Sequence, residues 1–289
     1  MSSTTQVIAR HEVAVTSPCF GPNGELFAVS ATGDIFKYTG NLIDGSEISV
    51  EPWGSSSGQP MGLAIDPQGA AFVCDAAHQC LFRIRKADSG DGAPRQEIQP
   101  YVKEYEGRSL VGPNSVAISP QAGTVFFTDS GPMGETSLST PTGSLYAVNP
   151  GTQLLLPLLQ GVLAHPGGVC ISPDEQTVYV GELFKNRILR LVQRPPGVWL
   201  ASVFCQLQGR MGPSAIACTP TGELLVAHFD VQELQGAGRI LCIDAEGQTT
   251  AMFQVPGAEI TGLCVSPCGR ALFVTEASSR SVYRVSLTD

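Results

Sequence analysis

The chain has 289 residues, a formal net charge of −9 and only 15% charged side chains. A surface that binds nucleic acid needs clustered lysines and arginines, and the 17 basic residues form no cluster; we therefore expect no nucleic-acid partner. No apolar run approaches the roughly 18 residues of a membrane-spanning helix, and the polar start MSSTTQVIARHEV lacks the apolar core of a signal peptide. These features predict a cytoplasmic protein without a membrane partner.

Six segments repeat one pattern along the chain: an apolar run, a tight turn with a proline, and a second apolar run. In chain order they read TSPCFGPNGELFAVS, PMGLAIDPQGAAFVCD, PNSVAISPQAGTVFFTD, PGGVCISPDEQTVYVGE, PSAIACTPTGELLVAH and ITGLCVSPCGRALFVTE. Their turn prolines are Pro22, Pro67, Pro120, Pro173, Pro220 and Pro267. The segments recur roughly every 50 residues, which is the period of a propeller blade.

A third apolar run follows each pair, in the order DIFKY, QCLFRI, GSLYAV, NRILRL, GRILCI and SVYRVS. The last repeat ends after three runs, whereas the strand-like TTQVIAR of residues 4–10 precedes the first repeat. We therefore predict an all-β, six-bladed β-propeller whose ring is closed by an N-terminal strand. In this interpretation residues 6–9 pair beside residues 282–285 to complete the last blade, and residues 1–289 form a single domain.

The nine cysteines lie mostly inside the predicted strands and are odd in number, which favours reduced thiols over a disulfide framework. Three of them, Cys19, Cys170 and Cys264, stand three residues before a turn proline. Alanine fills the same position in the other three repeats, and a free cysteine commonly serves as a small buried hydrophobic residue. We therefore predict a packing function for these thiols and no zinc site.

Two columns of residues fall on the face of the ring where a propeller usually binds its ligand, around the mouth of the central channel. The first column stands six residues before each turn proline and is the predicted ligand-binding face: Thr16, Met61, Asn114, Gly167, Ser214 and Thr261. The second column closes the second strand of each repeat: Ser30, Asp75, Asp129, Glu182, His228 and Glu276.

The second column supplies most of the candidate catalytic residues. Its carboxylates can accept backbone N–H groups and hold the following loop, and their repetition around the ring favours this structural function over catalysis. A hydrolase would need a general base from this set or from a nearby histidine. The candidates are Asp75, Asp129, Glu182, His228, Glu276 and His165. The one match to the GxSxG pattern, GSSSG at residues 54–58, is a serine-rich run ahead of a predicted strand rather than a turn between a strand and a helix, so no serine nucleophile is predicted.

The segments GTVFFTDSG, PTGSLYAVNP and LLQGVLAHPGGVCISPDEQTVYVGELFKNRILRL resemble the strictosidine synthase-like family. They are also similar to the gluconolactonase, regucalcin and paraoxonase group of six-bladed propellers. In members of that group that use calcium or zinc, the resemblance implies a metal at the channel mouth held by a glutamate, two asparagines or aspartates and a further aspartate. The corresponding residues in this chain are Thr16, Asn114, Gly167 and Ser214.

Only Asn114 matches this implied ligand set, so we expect no cofactor, or calcium or zinc if the site persists. Our first functional hypothesis is accordingly a non-catalytic scaffold with a mostly lost metal site, which binds a protein partner or a small molecule at the channel mouth. The alternative is a hydrolase of the lactonase or esterase kind. Fold alone does not decide between them.

Overall fold

The computed structural model describes residues 4–87, 95–195, 197–209, 211–230 and 236–287. Within these ranges the regular structure consists of β-strands and contains no helix. No helix of these residues could therefore cross a membrane. Six four-stranded antiparallel sheets are the blades of a β-propeller, which confirms the predicted fold class.

In each blade the two strands nearest the channel come from the repeated apolar pair. The inner strands are β2 (Val15–Phe20), β6 (Pro60–Ile65), β12 (Pro113–Ile118), β16 (Pro166–Ile171), β20 (Pro213–Cys218) and β24 (Ile260–Val265). The second strands are β3 (Leu26–Ser30), β7 (Ala71–Asp75), β13 (Val125–Asp129), β17 (Thr177–Glu182), β21 (Leu224–His228) and β25 (Ala271–Glu276). Every second strand is buried almost throughout because a neighbouring blade covers each of its faces.

The third and outer strands follow in the same order. The third strands are β4 (Asp34–Asn41), β8 (Cys80–Ala87), β14 (Gly143–Val148), β18 (Arg187–Gln193), β22 (Gly238–Ile243) and β26 (Ser281–Ser286). The outer strands are β5 (Ser46–Ser55), β9 (Arg95–Val102), β15 (Leu155–Leu163), β19 (Trp199–Gln206), β23 (Thr249–Val255) and, from the other end of the chain, β1 (Thr5–Arg10). A short hairpin of β10 (Glu104–Tyr105) and β11 (Arg108–Ser109) lies between blades 2 and 3 in the chain.

The strand β1 completes blade 6, as the sequence predicted. It pairs antiparallel with β26, with Gln6 opposite Arg284 and Ala9 opposite Val282, and the register shifts by a bulge between Val7 and Ala9. The Gln6 amide also donates a hydrogen bond to the carbonyl of Gly45 in blade 1, 2.8 Å away. Both ends of the described chain are therefore joined in one sheet.

Apolar side chains between neighbouring sheets hold the blades together. Where blades 1 and 6 meet, Leu26 and Ala28 pack with Ala271 and Phe273, all fully buried. The ring of Phe20 meets the ring of Phe273 edge to face, with centroids 5.4 Å apart. Such aromatic pairs add about 0.5–1.5 kcal/mol beyond the area that they bury.

The cysteines that stand three residues before a turn proline take part in this packing as expected. All nine are free thiols, and burial raises the pKa of Cys19 and Cys170 well above the usual range and that of Cys264 to about 12. A thiol with a raised pKa stays protonated and is a poor metal ligand or nucleophile. The structure thus agrees with a packing function for this column.

Deletion of residues 1–10 should destabilise the propeller by about 3–5 kcal/mol, at roughly 1 kcal/mol for each ladder hydrogen bond lost with β1. Urea unfolding of the truncated and full-length chains measures the difference. A synthetic peptide of residues 4–12 is the control, because it should restore part of the loss when added in excess. Equal stability of the two chains would show that β1 contributes nothing to closure.

Candidate functional site

A small cavity of about 80 Å³ lies where the inner strands begin, at the mouth of the channel. Every inner strand contributes to its wall at the start of the strand, where neighbouring blades come closest. The polar and glycine residues of this wall are Ser17, Asn114, Ser115, Gly167, Gly168, Ser214, Thr261 and Gly262. The wall contains no charged side chain among the residues that the structure describes.

The structure brings five of the six residues of the predicted ligand-binding face together: Met61, Asn114, Gly167, Ser214 and Thr261. Thr16 is the exception, and Ser17 takes its place in the wall. The register between β2 and β3 shifts between Thr16 and Cys19, and Ser17 has a φ of 51°. This bulge turns the chain by one residue. The sequence prediction counted six residues back from the turn proline and therefore selected Thr16. The Ser-Pro pair of residues 17 and 18 was the local feature that could have indicated the irregularity.

Hydroxyl groups at the mouth tie blade 1 to blade 2, blade 5 to blade 6 and blade 6 to blade 1, because they donate to backbone carbonyls across these three blade boundaries. The donors and acceptors are Ser17 Oγ to Met61 O at 2.7 Å, Thr16 Oγ1 to Thr261 O at 2.9 Å, Ser214 Oγ to Ile260 O at 2.9 Å and Thr261 Oγ1 to Val15 O at 2.8 Å. These hydroxyls have used their donor capacity, but each oxygen keeps lone pairs that can accept a further hydrogen bond.

Asn114 is the one side-chain amide in the wall. Its Nδ2 donates to Ser130 Oγ at 3.0 Å, which fixes the orientation of the side chain. The second N–H of the amide and its Oδ1 make no hydrogen bond with the part of the chain that the structure describes. Asn114 therefore offers both a donor and an acceptor from a fixed position.

The carboxylates of the second column do not belong to the cavity wall described above. Asp129 accepts the backbone N–H groups of Val111 and Gly112, and the shortest of these bonds is 2.7 Å. Glu276 accepts the N–H of Glu259 and of Ser279. Both carboxylates hold the loop that leads into the inner strand of their own blade. Glu276 also holds the following loop, as the sequence suggested, through Ser279.

Asp75 and Glu182 are anchors of the same kind, and each is fully buried. Asp75 Oδ1 accepts the N–H of Gln59 at 3.2 Å and lies 3.0 Å from His78 Nδ1. Glu182 accepts the N–H of Ala164 at 2.7 Å. It also forms ion pairs with Lys185 at 2.8 Å and with Arg187 at 2.6 Å.

Burial raises the pKa of Asp129, because the carboxylate is desolvated; the backbone N–H groups of Val111 and Gly112 oppose this shift. The dominance of desolvation shows that two hydrogen bonds do not fully replace water. The Asp129 carboxylate binds the loop amides and is not part of the cavity wall. Its function is therefore to hold the loop.

His165 has an environment unlike that of the carboxylates. It lies between β15 and β16, two residues before Gly167 of the cavity wall, and is 7% exposed. Its φ of 56° is a strained value for a residue other than glycine, and its ring stacks on Phe184 with centroids 5.4 Å apart. Its Nδ1 is buried with no hydrogen-bond partner in the described residues. Burial lowers the pKa of His165 to about 4.

His228 is part of a hydrogen-bonded loop. Its Nε2 lies 3.3 Å from Asn186 Oδ1, and Asn186 Nδ2 donates to the carbonyls of Leu207 and Gly209. The ring of His228 also packs against Gly209, whose φ is 113°. The repeat pattern did not identify Asn186, because this residue lies in the loop between the second and third strands, outside the two columns compared between blades.

Replacing Glu182 should test its anchoring function. Glu182→Ala leaves Arg187 and the buried N–H of Ala164 without an acceptor, so we expect a loss of about 2–4 kcal/mol in the free energy of unfolding. Chemical denaturation measures this loss. The matched control is Glu246→Ala in an exposed turn, which should change stability by less than about 0.5 kcal/mol. Similar values for the two variants would refute the anchoring function.

The lowered pKa of His165 predicts a pH dependence of stability. The unfolded chain binds a proton near pH 6.5, whereas the folded chain does so only near pH 4. The contribution of His165 is therefore fully present above pH 6.5 and is lost as the pH falls from 6.5 to 4, by an amount on the order of 3 kcal/mol.

The variant His165→Asn removes the titrating group, and asparagine tolerates a positive φ. Urea unfolding of both proteins between pH 4 and pH 7 should show a shallower loss for the variant. The same slope in both proteins would assign the acid sensitivity to other groups.

Comparison with solved structures supports the fold. The chain superimposes on a gluconolactonase of Xanthomonas campestris with a TM-score of 0.77 and 21% identity, covering 99% of this chain and 90% of that chain. It superimposes on a calcium-binding protein, regucalcin, of Agrobacterium tumefaciens with a TM-score of 0.73 and 19% identity, covering 98% and 93%. At these identities the likeness establishes the propeller alone.

Sequence relatives point to one kind of activity. The chain is 24% identical over 250 residues to a protein named lactonase drp35 of Staphylococcus aureus strain MW2, covering 83% of this chain and 69% of the relative. It is 22% identical over 246 residues to the lactonase drp35 of Staphylococcus epidermidis, with the same coverage.

Residues 55–278 match the model of a protein family described as the SMP-30/gluconolactonase/LRE-like region. This match and the lactonase relatives overturn our first functional hypothesis, a non-catalytic scaffold with a mostly lost metal site, and favour the hydrolase alternative. The error came from equating a changed set of ligand residues with a loss of activity. The match spans well over half of the chain and confirms the resemblance to the gluconolactonase and regucalcin group: the chain belongs to the SMP-30/gluconolactonase/LRE-like family.

Proposed function

We propose that this protein hydrolyses a lactone or a related ester at the channel mouth. The observation that carries the proposal is the uncharged, hydrogen-bonding cavity around Asn114 in a chain of this family. Relatives named as lactonases and a gluconolactonase of similar fold support the same reaction class. In this proposal the channel mouth binds a small molecule rather than a protein.

The chemistry of the wall suits a neutral, hydroxyl-bearing ring. Asn114 has a free N–H that can donate to a lactone carbonyl, whose oxygen gains negative charge when water attacks it. The hydroxyls of Ser17, Ser214 and Thr261 already donate to the backbone, so they face a ligand as acceptors. A substrate with several hydroxyl donors and one ester carbonyl matches this arrangement of one donor and several acceptors.

Attack by water also requires a group that accepts its proton. In this proposal His165 is the candidate base, because burial holds its pKa at about 4 and leaves the imidazole unprotonated at neutral pH. Its Nδ1 makes no hydrogen bond with the described residues but is buried, and His165 stands two residues before Gly167 rather than in the cavity wall; in this proposal a water molecule carries the proton from the cavity to the ring. The low pKa makes His165 a weak base, so a modest rate is expected.

The residues at the mouth do not fit a calcium or zinc ion. Calcium prefers 6–8 oxygen ligands with several carboxylates, whereas Ser17, Asn114, Gly167 and Ser214 of the wall provide two hydroxyls and one amide. Within the described residues no group of three or more His, Cys, Asp or Glu side chains could hold a metal ion. No step of the proposed reaction therefore passes through a metal, although regucalcin of similar fold is a calcium-binding protein.

The proposal predicts hydrolysis of hydroxylated lactones such as glucono-1,5-lactone, measured by acid release in a pH-stat after subtraction of the spontaneous rate. Asn114→Ala should lower kcat/KM by about tenfold to a hundredfold, because one hydrogen bond to a developing charge contributes about 1.5–3 kcal/mol. The matched control is Asn23→Ala, in an exposed turn on the opposite face, which should keep full activity.

Each assay should be run with chelator alone and with added Ca²⁺ or Zn²⁺. We expect the same rate in all three conditions. Activity only with one ion would reject the metal-free reaction while keeping the lactonase proposal. Rates equal to the spontaneous reaction across lactones and aryl esters, in every condition, would reject the proposal itself.

A further inference from the structure

A second cavity of about 230 Å³ lies between blades 2 and 3. The turns that border it are those between the inner and second strands of both blades and between β14 and β15 of blade 3. These turns lie on the face opposite the channel mouth. The cavity is therefore separate from the site discussed above, and the inference drawn from it does not depend on the proposed function.

Arg83 on β8 is the cation in the cavity wall, and its guanidinium is poorly satisfied. One terminal nitrogen donates to Asp66 Oδ2 at 3.2 Å. This is the one hydrogen bond of the guanidinium with the described residues, although an arginine has five N–H donors, and Nε is buried without an acceptor. Four donors of a permanently charged group thus lack a protein partner in that part of the chain.

Asp66 does not compete for a ligand at the same place. Its Oδ1 accepts the backbone N–H groups of Gln68 and Ala70 at 3.0 and 2.8 Å, and its Oδ2 accepts from Arg83. The side chain of Arg83 is 29% exposed, whereas that of Asp66 is 8% exposed. The positive group, rather than the negative one, therefore faces the accessible space.

Besides Arg83 and Asp66, the wall combines aromatic and apolar side chains with two glutamines, Gln68 and Gln153. The guanidinium lies over the ring of Phe72, 5.7 Å from its centroid, and Tyr101 meets Phe72 edge to face at 4.9 Å. The hydroxyl of Tyr101 makes no hydrogen bond with the described residues. Ile118, Val125 and the ring of Pro150 close the side formed by blade 3.

We propose that this cavity binds a small monocarboxylate with a flat apolar body. The guanidinium offers the planar pair of donors that carboxylates prefer, the Tyr101 hydroxyl can donate beside it, and the aromatic walls receive the apolar part. Apolar walls with a few convergent polar groups are the general features of a small-molecule site. The volume restricts the ligand to a size below that of typical drug-like molecules.

Blade 4 contains a matched arginine that lies outside this cavity. Arg190 stands opposite Tyr179 as Arg83 stands opposite Phe72, and its guanidinium lies over Phe204 at 5.6 Å. Its Nε is also buried without an acceptor. Arg190 is not in the wall of the cavity between blades 2 and 3, so it separates the effect of the cavity from the effect of losing a buried arginine.

The probe is 4-fluorobenzoate, whose ¹⁹F line broadens when it exchanges onto a slowly tumbling protein. We expect broadening by the full chain, reversal by excess benzoate and little reversal by the neutral isostere benzamide. Arg83→Gln should weaken binding about tenfold or more, because a charge-assisted pair is lost. Arg190→Gln should bind as the unaltered protein does, and circular dichroism melts check that each variant is folded.

If Arg83→Gln does not fold, Arg83→Lys keeps the charge but loses the planar pair of donors, and it should still bind more weakly than Arg190→Gln. Broadening that benzamide reverses as well as benzoate does would show that the cavity recognises only the apolar body. Equal binding by the Arg83 and Arg190 variants, or no broadening by the unaltered protein, would also overturn the proposal.

Discussion

The pairing of β1 with β26 is the constraint on which the rest of the molecule depends. Each blade is covered on both faces by its neighbours, so a ring that stayed open would leave two apolar faces in water. Residues from the two ends of the chain meet in blade 6, where Thr5 stands opposite Val285, and blade 6 packs on blade 1 through buried side chains such as Phe273. Closure converts six marginal sheets into one cooperative structure and fixes the spacing of the inner strands.

That spacing determines the chemistry of the channel mouth. Because the inner strands converge, hydroxyls such as Ser214 Oγ reach carbonyls of the next blade, and the carboxylates behind them are occupied by loop amides, as Asp129 is by Gly112. The carboxylates are thus buried at the ends of the second strands, while the surface that lines the channel mouth is polar and neutral. This neutral surface of acceptors, with one amide donor from Asn114, is the basis of our proposal of an uncharged substrate rich in hydroxyls.

The two faces of the ring have different properties because different turns build them. Long loops that enter the inner strands form the mouth, and carboxylates such as Glu276 hold them. Tight turns with proline or glycine form the opposite face, where blades 2 and 3 leave a gap lined by Arg83 and Tyr101. A substrate at one face and a carboxylate at the other would contact no residue in common, so the two proposals stand or fall separately.

The sequence by itself determined the number of blades, the closing strand and the positions of most of the mouth residues, because turn prolines and strand periodicity are local signals that repeat. It also indicated that the repeated carboxylates are anchors. Only the tertiary structure decided that Ser17 rather than Thr16 lines the mouth, since a bulge depends on cross-strand register. The isolation of His165 Nδ1 and the gap beside Arg83 likewise arise from packing between segments distant in the chain, which no local pattern encodes.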